Sequence, residues 1–190
     1  MTAISTAPSY TIAIQQRLLA SHLLQHGLQL SLTKAITQVP HSEVRKIYVE
    51  LYGQKPRPGK TPESVMHFIT SDQDNLCITL AALIYVNLTE ESSRYQIDPL
   101  AMIKAFEIAR EFIPSLRINA LFYCARDYKE REYHFHHCPT CETHYVSHNN
   151  DHSNQQCPAC STTGHLTLSA IKAIAKNKAA LSAPQVAAAR

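Results

Sequence analysis

Apolar positions recur at helical spacing through most of the chain and switch to strict alternation in its last third. Ile12, Leu19 and Leu23 share one face of a helix predicted over residues 10–26, and Gly27 offers the left-handed backbone that ends it. Leu32, Ala35, Ile36 and Val39 predict a two-turn helix cut off by Pro40, because proline disfavours helical geometry at the residue before it. Val44, Ile47, Tyr48 and Leu51, at i, i+3, i+4 and i+7, predict a third helix from Ser42 to a stop at Gly53. Short helix, tight turn and longer helix in succession make a helix-turn-helix pattern.

Further along, Thr61-Pro62-Glu63 reads as a helix start, with Thr61 as cap and Pro62 in the first helical position, continued by Val65, Met66, Phe68 and Ile69. Ser71, followed three residues later by Asp74, predicts another capped start and a buried stripe of Leu76, Leu80, Leu83 and Ile84. Asp98-Pro99 opens the next helix, through Ile103, Phe106 and Ala109 to a stop at Pro114. Ser115 is then expected to cap one through Leu116, Leu121 and Tyr128. At Glu132 the period changes: Tyr133, Phe135 and His137 alternate with His134 and His136, as in a strand. Residues 145–146 and 165–168 are its expected companions, with a polar loop over 147–156. An alanine-rich helix over 170–181 carries Lys172, Lys176 and Lys178 on one side, Pro184 ends it, and the final residues are expected to be disordered.

This pattern makes the fold mainly α, and composition agrees. At 190 residues, 45% hydrophobic with only 4 glycines, the chain can bury one core and a small second module. The longest apolar run, residues 78–86, is interrupted by Thr79 and falls far short of the ~20 residues that cross a bilayer. No basic segment and apolar run open the sequence as a signal peptide does, so the expected setting is soluble, cytoplasmic and without a membrane partner. The net charge of +3 is modest, but it is unevenly spread. Residues 33–60 hold Lys34, Arg45, Lys46, Lys55, Arg57 and Lys60 against Glu43 and Glu50, whereas 61–112 hold eight acids against Arg94, Lys104 and Arg110. Basic ends around an acidic middle suit a protein that touches nucleic acid at selected surfaces.

The most specific chemistry is in the cysteines. Cys138-Pro-Thr-Cys141 and Cys157-Pro-Ala-Cys160 are two C-x-x-C pairs fifteen residues apart, the spacing of one tetrahedral zinc site. Two intervening residues let a tight turn aim both sulfurs at one ion, and Pro139 and Pro158 pre-set the backbone just after the first sulfur of each pair. Four thiolates leave no open position for substrate, which makes the single Zn2+ structural and not catalytic. Two disulfides would fit an exported protein, and a redox pair would want one C-x-x-C at a helix start within a βαβ unit; neither setting is present. His134, His136, His137 and His144 are chemically able to replace a sulfur, but the four cysteines make this unnecessary, and these histidines are expected to face solvent or a partner. Cys77 and Cys124 fall in apolar helical patterns and read as small core residues.

Candidate nucleic-acid contacts cluster upstream. Ser42, Arg45, Lys46 and Val49 line the outer face of the third predicted helix, with His41 at its entrance and Lys34 on the helix before it. Base readout needs such a surface, with hydrogen-bonding side chains for base edges and cations for phosphate. Gln54-Lys-Pro-Arg-Pro-Gly-Lys60 cannot be regular helix, because its prolines remove donors and clash with the preceding turn. Lys55, Arg57 and Lys60 thus ride an extended loop suited to phosphate or minor-groove contacts. A solvated hairpin and a solvated linker are the plain alternatives for these two segments.

Helices, the passage Val44-Arg-Lys-Ile-Tyr-Val-Glu-Leu-Tyr-Gly53 followed by the basic proline loop, and the late pair of C-x-x-C motifs together resemble the FlhC family, the C subunits of the bacterial flagellar master activator. The resemblance spans residues 14–168 and carries the family's zinc ligands onto Cys138, Cys141, Cys157 and Cys160. It implies a transcriptional activator subunit that binds double-stranded promoter DNA, assembles with a small helical FlhD-like partner as four D and two C subunits, and recruits RNA polymerase. Flagellar members carry tryptophans after the proline loop; this chain has none and reads Glu63-Ser-Val-Met-His-Phe68 there. That departure points to the SetC- and AcaC-like branch on conjugative elements, which switches on transfer genes, with flagellar operons as the alternative target.

The expected architecture is a helical DNA-binding and partner-binding domain over 1–131, a four-cysteine zinc ribbon-like module over 132–168, and a C-terminal helix and tail over 169–190. A zinc-ribbon interaction adaptor without DNA contacts of its own is the alternative from another class. A nuclease would need carboxylates or histidines around an open metal position, and Asp151 alone among the acids of its loop gives it little support, so no enzyme is expected.

Overall fold

The computed structural model describes residues 10–57, 59–89, 97–148, 157–161 and 171. It is mainly helical, as the periodicity requires. The elements run α1 (Tyr10–Gln25), α2 (Leu30–Thr37), α3 (His41–Tyr52), a 3-10 turn (Val65–Phe68), α4 (Asp72–Leu88), α5 (Pro99–Phe112), α6 (Ile118–Lys129), β1 (Tyr133–His137), β2 (His144–His148) and the single turn α7 (Pro158–Ser161). The chain divides into two compact units, Met1–Lys60 and Thr61–Arg190. The expected strand at 165–168 and the C-terminal helix with Lys172, Lys176 and Lys178 lie outside the described residues.

In the first unit, Ala20 and Leu24 of α1 pack with Val39 and Val44, joined by the partly buried Leu30, Ile47, Tyr48 and Leu51. The seam of α3 is therefore the one its spacing predicts. On α1 the buried residues are Ala20, Leu23 and Leu24, while Ile12, Ile14 and Leu18 remain exposed. The apolar face expected to begin at Ile12 is thus a feature of the helix's C-terminal half, where α2 and α3 contact it. Gly27 and Gly53 both take the left-handed backbone expected of helix stops, with φ of +86° and +66°. Gln38 takes the same conformation without being glycine, at φ +59°, and its side-chain amide donates to the Ala35 carbonyl. This one residue, with Val39 and Pro40, makes the tight turn between α2 and α3.

The second unit is built on α4. Leu76, Ile78, Thr79, Leu80, Ala81, Ala82, Leu83, Ile84 and Tyr85 are all buried, so this helix is covered on every side through its middle. α5, α6, β2 and α7 pack against it. Its start is the predicted cap: the Ser71 hydroxyl accepts from the Asp74 backbone N–H, and the Asp74 carboxylate accepts from the hydroxyls of Ser71 and Thr70. Those hydrogen bonds, the one from Thr70 foremost, hold the Asp74 carboxyl below its ordinary range. Asp98 likewise caps α5, accepting from Leu100 and Ala101.

Two predicted starts are not used. Thr61-Pro62 opens no helix; the chain instead forms a 3-10 turn after Ser64, because the Val65 N–H is taken by the buried Asp127 carboxylate of α6. Ser115 does not cap α6, which begins at Ile118 after Arg117. Residues 113–116 turn through a Leu116 N–H to Ile113 carbonyl bond before the helix begins.

Candidate metal centre and nucleic-acid surface

β1 and β2 pair antiparallel, with Phe135 opposite Val146 and His137 opposite His144. The ribbon is seated on α4 by polar contacts as well as by packing. The Val146 N–H donates to the Thr79 hydroxyl at 2.9 Å, and the Val146 carbonyl accepts from the Asn75 amide at 3.0 Å. Tyr133 anchors the other strand, its hydroxyl donating to the Cys124 carbonyl inside α6.

Between the strands the chain makes its first knuckle. The Cys138 N–H donates to the Thr143 carbonyl, the Glu142 N–H returns to the Cys138 carbonyl, and Glu142 supplies the positive φ that closes the turn. The second knuckle is helical, with Pro158 opening α7 and the Cys160 N–H donating to the Cys157 carbonyl. A hydrogen bond from the Ser161 hydroxyl to Asp72 ties this turn to the start of α4.

The four sulfurs converge. Cys138 and Cys160 Sγ are 3.8 Å apart, Cys141 and Cys157 Sγ are 3.6 Å apart, and all four lie within 4.8 Å of one another. A tetrahedron with metal–sulfur bonds of about 2.3 Å has sulfur–sulfur edges of about 3.8 Å, so the four can hold one metal ion. All six cysteines of the chain are free thiols. Cys138 and Cys157 are buried, Cys141 is half-buried and Cys160 is exposed. Backbone N–H groups of Cys141, and then Thr140, pull the Cys138 thiol down to about 6, whereas desolvation pushes Cys157 up to about 12. The first knuckle is thus arranged to present a thiolate.

No histidine joins the sulfur cluster among the described residues. His136 stacks on Tyr145 with ring centroids 5.6 Å apart, and His137 pairs with His144 at 5.0 Å. Burial first, and a neighbouring histidine second, lower the values of both His136 and His144, which favours their neutral forms. Cys124 is wholly buried and its thiol is raised by desolvation, as befits a core residue; Cys77 is half-buried.

The candidate DNA contacts all lie in the first unit. His41, Ser42, Arg45 and Lys46 are exposed on α3, Lys34 is exposed on α2, and Lys55, Arg57 and Lys60 are exposed on the segment after Gly53. On α3, Ser42, Lys46 and Val49 follow one line, opposite the seam of Val44, Ile47, Tyr48 and Leu51. Of the two acids on α3, Glu50 is exposed beside Val49 and Glu43 is engaged. The Arg17 guanidinium of α1 makes two hydrogen bonds to the Glu43 carboxylate, at 2.8 and 3.3 Å, which lower the Glu43 carboxyl and raise Arg17. Sequence reasoning missed Arg17, because a pair twenty-six residues apart leaves no local signal.

No helix among the described residues is long and apolar enough to cross a membrane. Residues 8–172 match the family described as flagellar transcriptional activator (FlhC). No curated protein matches the chain.

Proposed function

Since the chain belongs to the flagellar transcriptional activator (FlhC) family, we propose that it is the DNA-reading, C-type subunit of a zinc-stabilised activator complex. The observation that carries this reading is the outer face of α3. Helix, three-residue turn and helix present Ser42, Arg45 and Lys46 to solvent, and Glu43, one of the two acids of α3, is occupied by Arg17. In this reading α3 enters the major groove, and Lys55, Arg57 and Lys60 on the following loop, with Lys34 and His41, contact phosphates.

Zn2+ is the metal that suits four thiolates at this spacing. Bound by Cys138, Cys141, Cys157 and Cys160, it would hold the two knuckles together and perform no chemistry on a substrate. The complex includes a small helical D-type partner, as four D and two C subunits, and recruits RNA polymerase. Its targets are the transfer genes of a conjugative element, a choice supported by the tryptophan-free passage after the proline loop.

Mobility shifts of promoter DNA with the chain, alone and with a D-type partner, test the central claim. Sequence-dependent binding that weakens steeply with salt is expected, because neutralised phosphates release counterions. Retarded complexes that form only through the partner, unaffected by changes on α3, would leave an adaptor role instead. Sequencing the DNA bound in cells decides the target: transfer-gene promoters are expected, and flagellar promoters would overturn that choice.

A further inference from the structure

An exposed apolar side chain follows the cations Arg45 and Lys46 along the outer face of α3, with the acid Glu50 beside it. Val49 is 38% exposed and follows Ser42 and Lys46 at i+7 and i+3 along the line opposite the buried seam. The helix's other exposed apolar residue, Tyr52, is held back on its own unit, its hydroxyl donating to the Leu24 carbonyl at 2.6 Å and its ring beside Tyr48. Val49 instead points outward, with Lys46 one turn before it and Arg45 on its flank. Gly53, one turn beyond, adds no side chain to crowd it, and the space around its Cα is open.

A face that reads DNA meets hydrogen-bonding groups almost everywhere in the major groove. The apolar feature that a natural base edge offers there is the 5-methyl group of thymine. We propose that Val49 reads a thymine methyl within two base pairs of the positions contacted by Arg45 and Lys46. Residues three or four apart on a helix have Cβ atoms about 5–6 Å apart. Successive base pairs are separated by about 3.4 Å, so the three side chains span neighbouring steps of one site. This inference rests on the DNA-reading role of α3 proposed above.

The test uses the full-length chain in the complex in which it purifies. Duplexes are selected from a random pool, and each thymine of the selected site is then replaced singly by deoxyuridine, which removes the methyl and leaves every hydrogen-bonding group. One substitution is expected to weaken wild-type binding about four-fold, the equivalent of one lost methylene-sized burial. Val49→Ser should bind the thymine and uridine duplexes alike, and Val49→Thr, which keeps one methyl, should retain part of the difference. Circular dichroism of the variants should be unchanged, since the position is on the surface. If no uridine substitution separates wild type from Val49→Ser, while a selected sequence is still bound tightly, the thymine contact is wrong and the DNA-reading role stands. If no sequence is enriched at all, the DNA-reading role itself fails and this contact with it.

Discussion

The Asp127 carboxylate, fully buried in α6, accepts a 2.6 Å hydrogen bond from the Val65 backbone N–H sixty-two residues earlier in the chain. Its other oxygen takes the Arg126 guanidinium at 2.8 Å, and Arg126 also lies over the Tyr123 ring, 4.7 Å from its centroid. Asp127 thus fixes the start of the 3-10 turn onto the helix, helped by Arg126, which donates to the Glu63 carbonyl. Asp127→Ala leaves a buried N–H without a partner and should lower stability by about 2–3 kcal/mol. Asp127→Asn, which keeps one acceptor, should cost less. Urea unfolding of the two variants measures the difference, and equal midpoints would deny the contact its role.

Purified protein should contain one zinc per chain and no disulfide, by elemental analysis and thiol counting. Cys138→Ser should lose the metal and become protease-sensitive around residues 132–148, since metal affinity here is folding energy. The first unit, residues 1–60, has its own small core in Ala20, Leu24, Val39 and Val44 and should keep its helical signal. Loss of all helical signal on chelation would contradict the two-unit division.

Proton release gives a pH test of the first knuckle. The turn's N–H groups lower the Cys138 thiol from its ordinary value of 9.0 to about 6. The folded turn thus favours the thiolate: its stabilisation is fully present above the ordinary value and is lost as pH falls through about 6. Metal uptake by the folded apo chain should accordingly release fewer than four protons at neutral pH, and more as pH drops through 6. Calorimetry in buffers of different ionisation enthalpy reads that number, and four protons at neutral pH would refute the lowered thiol.

Arg45→Ala and Lys46→Ala should each weaken promoter binding, with the larger loss of sequence discrimination in whichever residue reaches a base edge. Lys55→Ala and Arg57→Ala should weaken all sequences alike and reduce the salt slope by about one charge each. Unchanged affinity in both α3 variants would remove that helix from the interface.

Gly53→Ala isolates a backbone effect. The site is open to a Cβ but sits at φ +66°, so the substitution adds strain without a clash. A loss of about 1 kcal/mol is expected in thermal or urea unfolding of the first unit. No change would mean that the helix ends by some other device.

The parts of the molecule legible in the sequence are those whose causes are local. The two C-x-x-C turns, the Ser71–Asp74 cap, the Asp98–Pro99 start and the glycine stops each depend on residues within a few positions. The false start at Thr61-Pro62 shows the opposite case: its local signal is sound, and a carboxylate on α6 outcompetes it. Likewise the exposed Ile12 belongs to a periodic pattern, but periodicity does not reveal how far along α1 its neighbours reach. On the candidate DNA face, the cations were readable from spacing, and the Arg17–Glu43 pair that disposes of a competing charge was not.

Asn75 and Thr79 stand one turn apart on α4, and both are engaged with Val146 of β2. In effect α4 stands in for a third strand. An isolated two-stranded ribbon is marginally stable and offers its outer backbone to any passing chain. Here that backbone is met at Val146 by side chains from a helix, so at this residue the edge of the ribbon has no free group to offer an added strand. A subunit that docks on the zinc module must therefore recognise its side chains, the histidine rows among them, and cannot zip onto β2 through main-chain hydrogen bonds at that point.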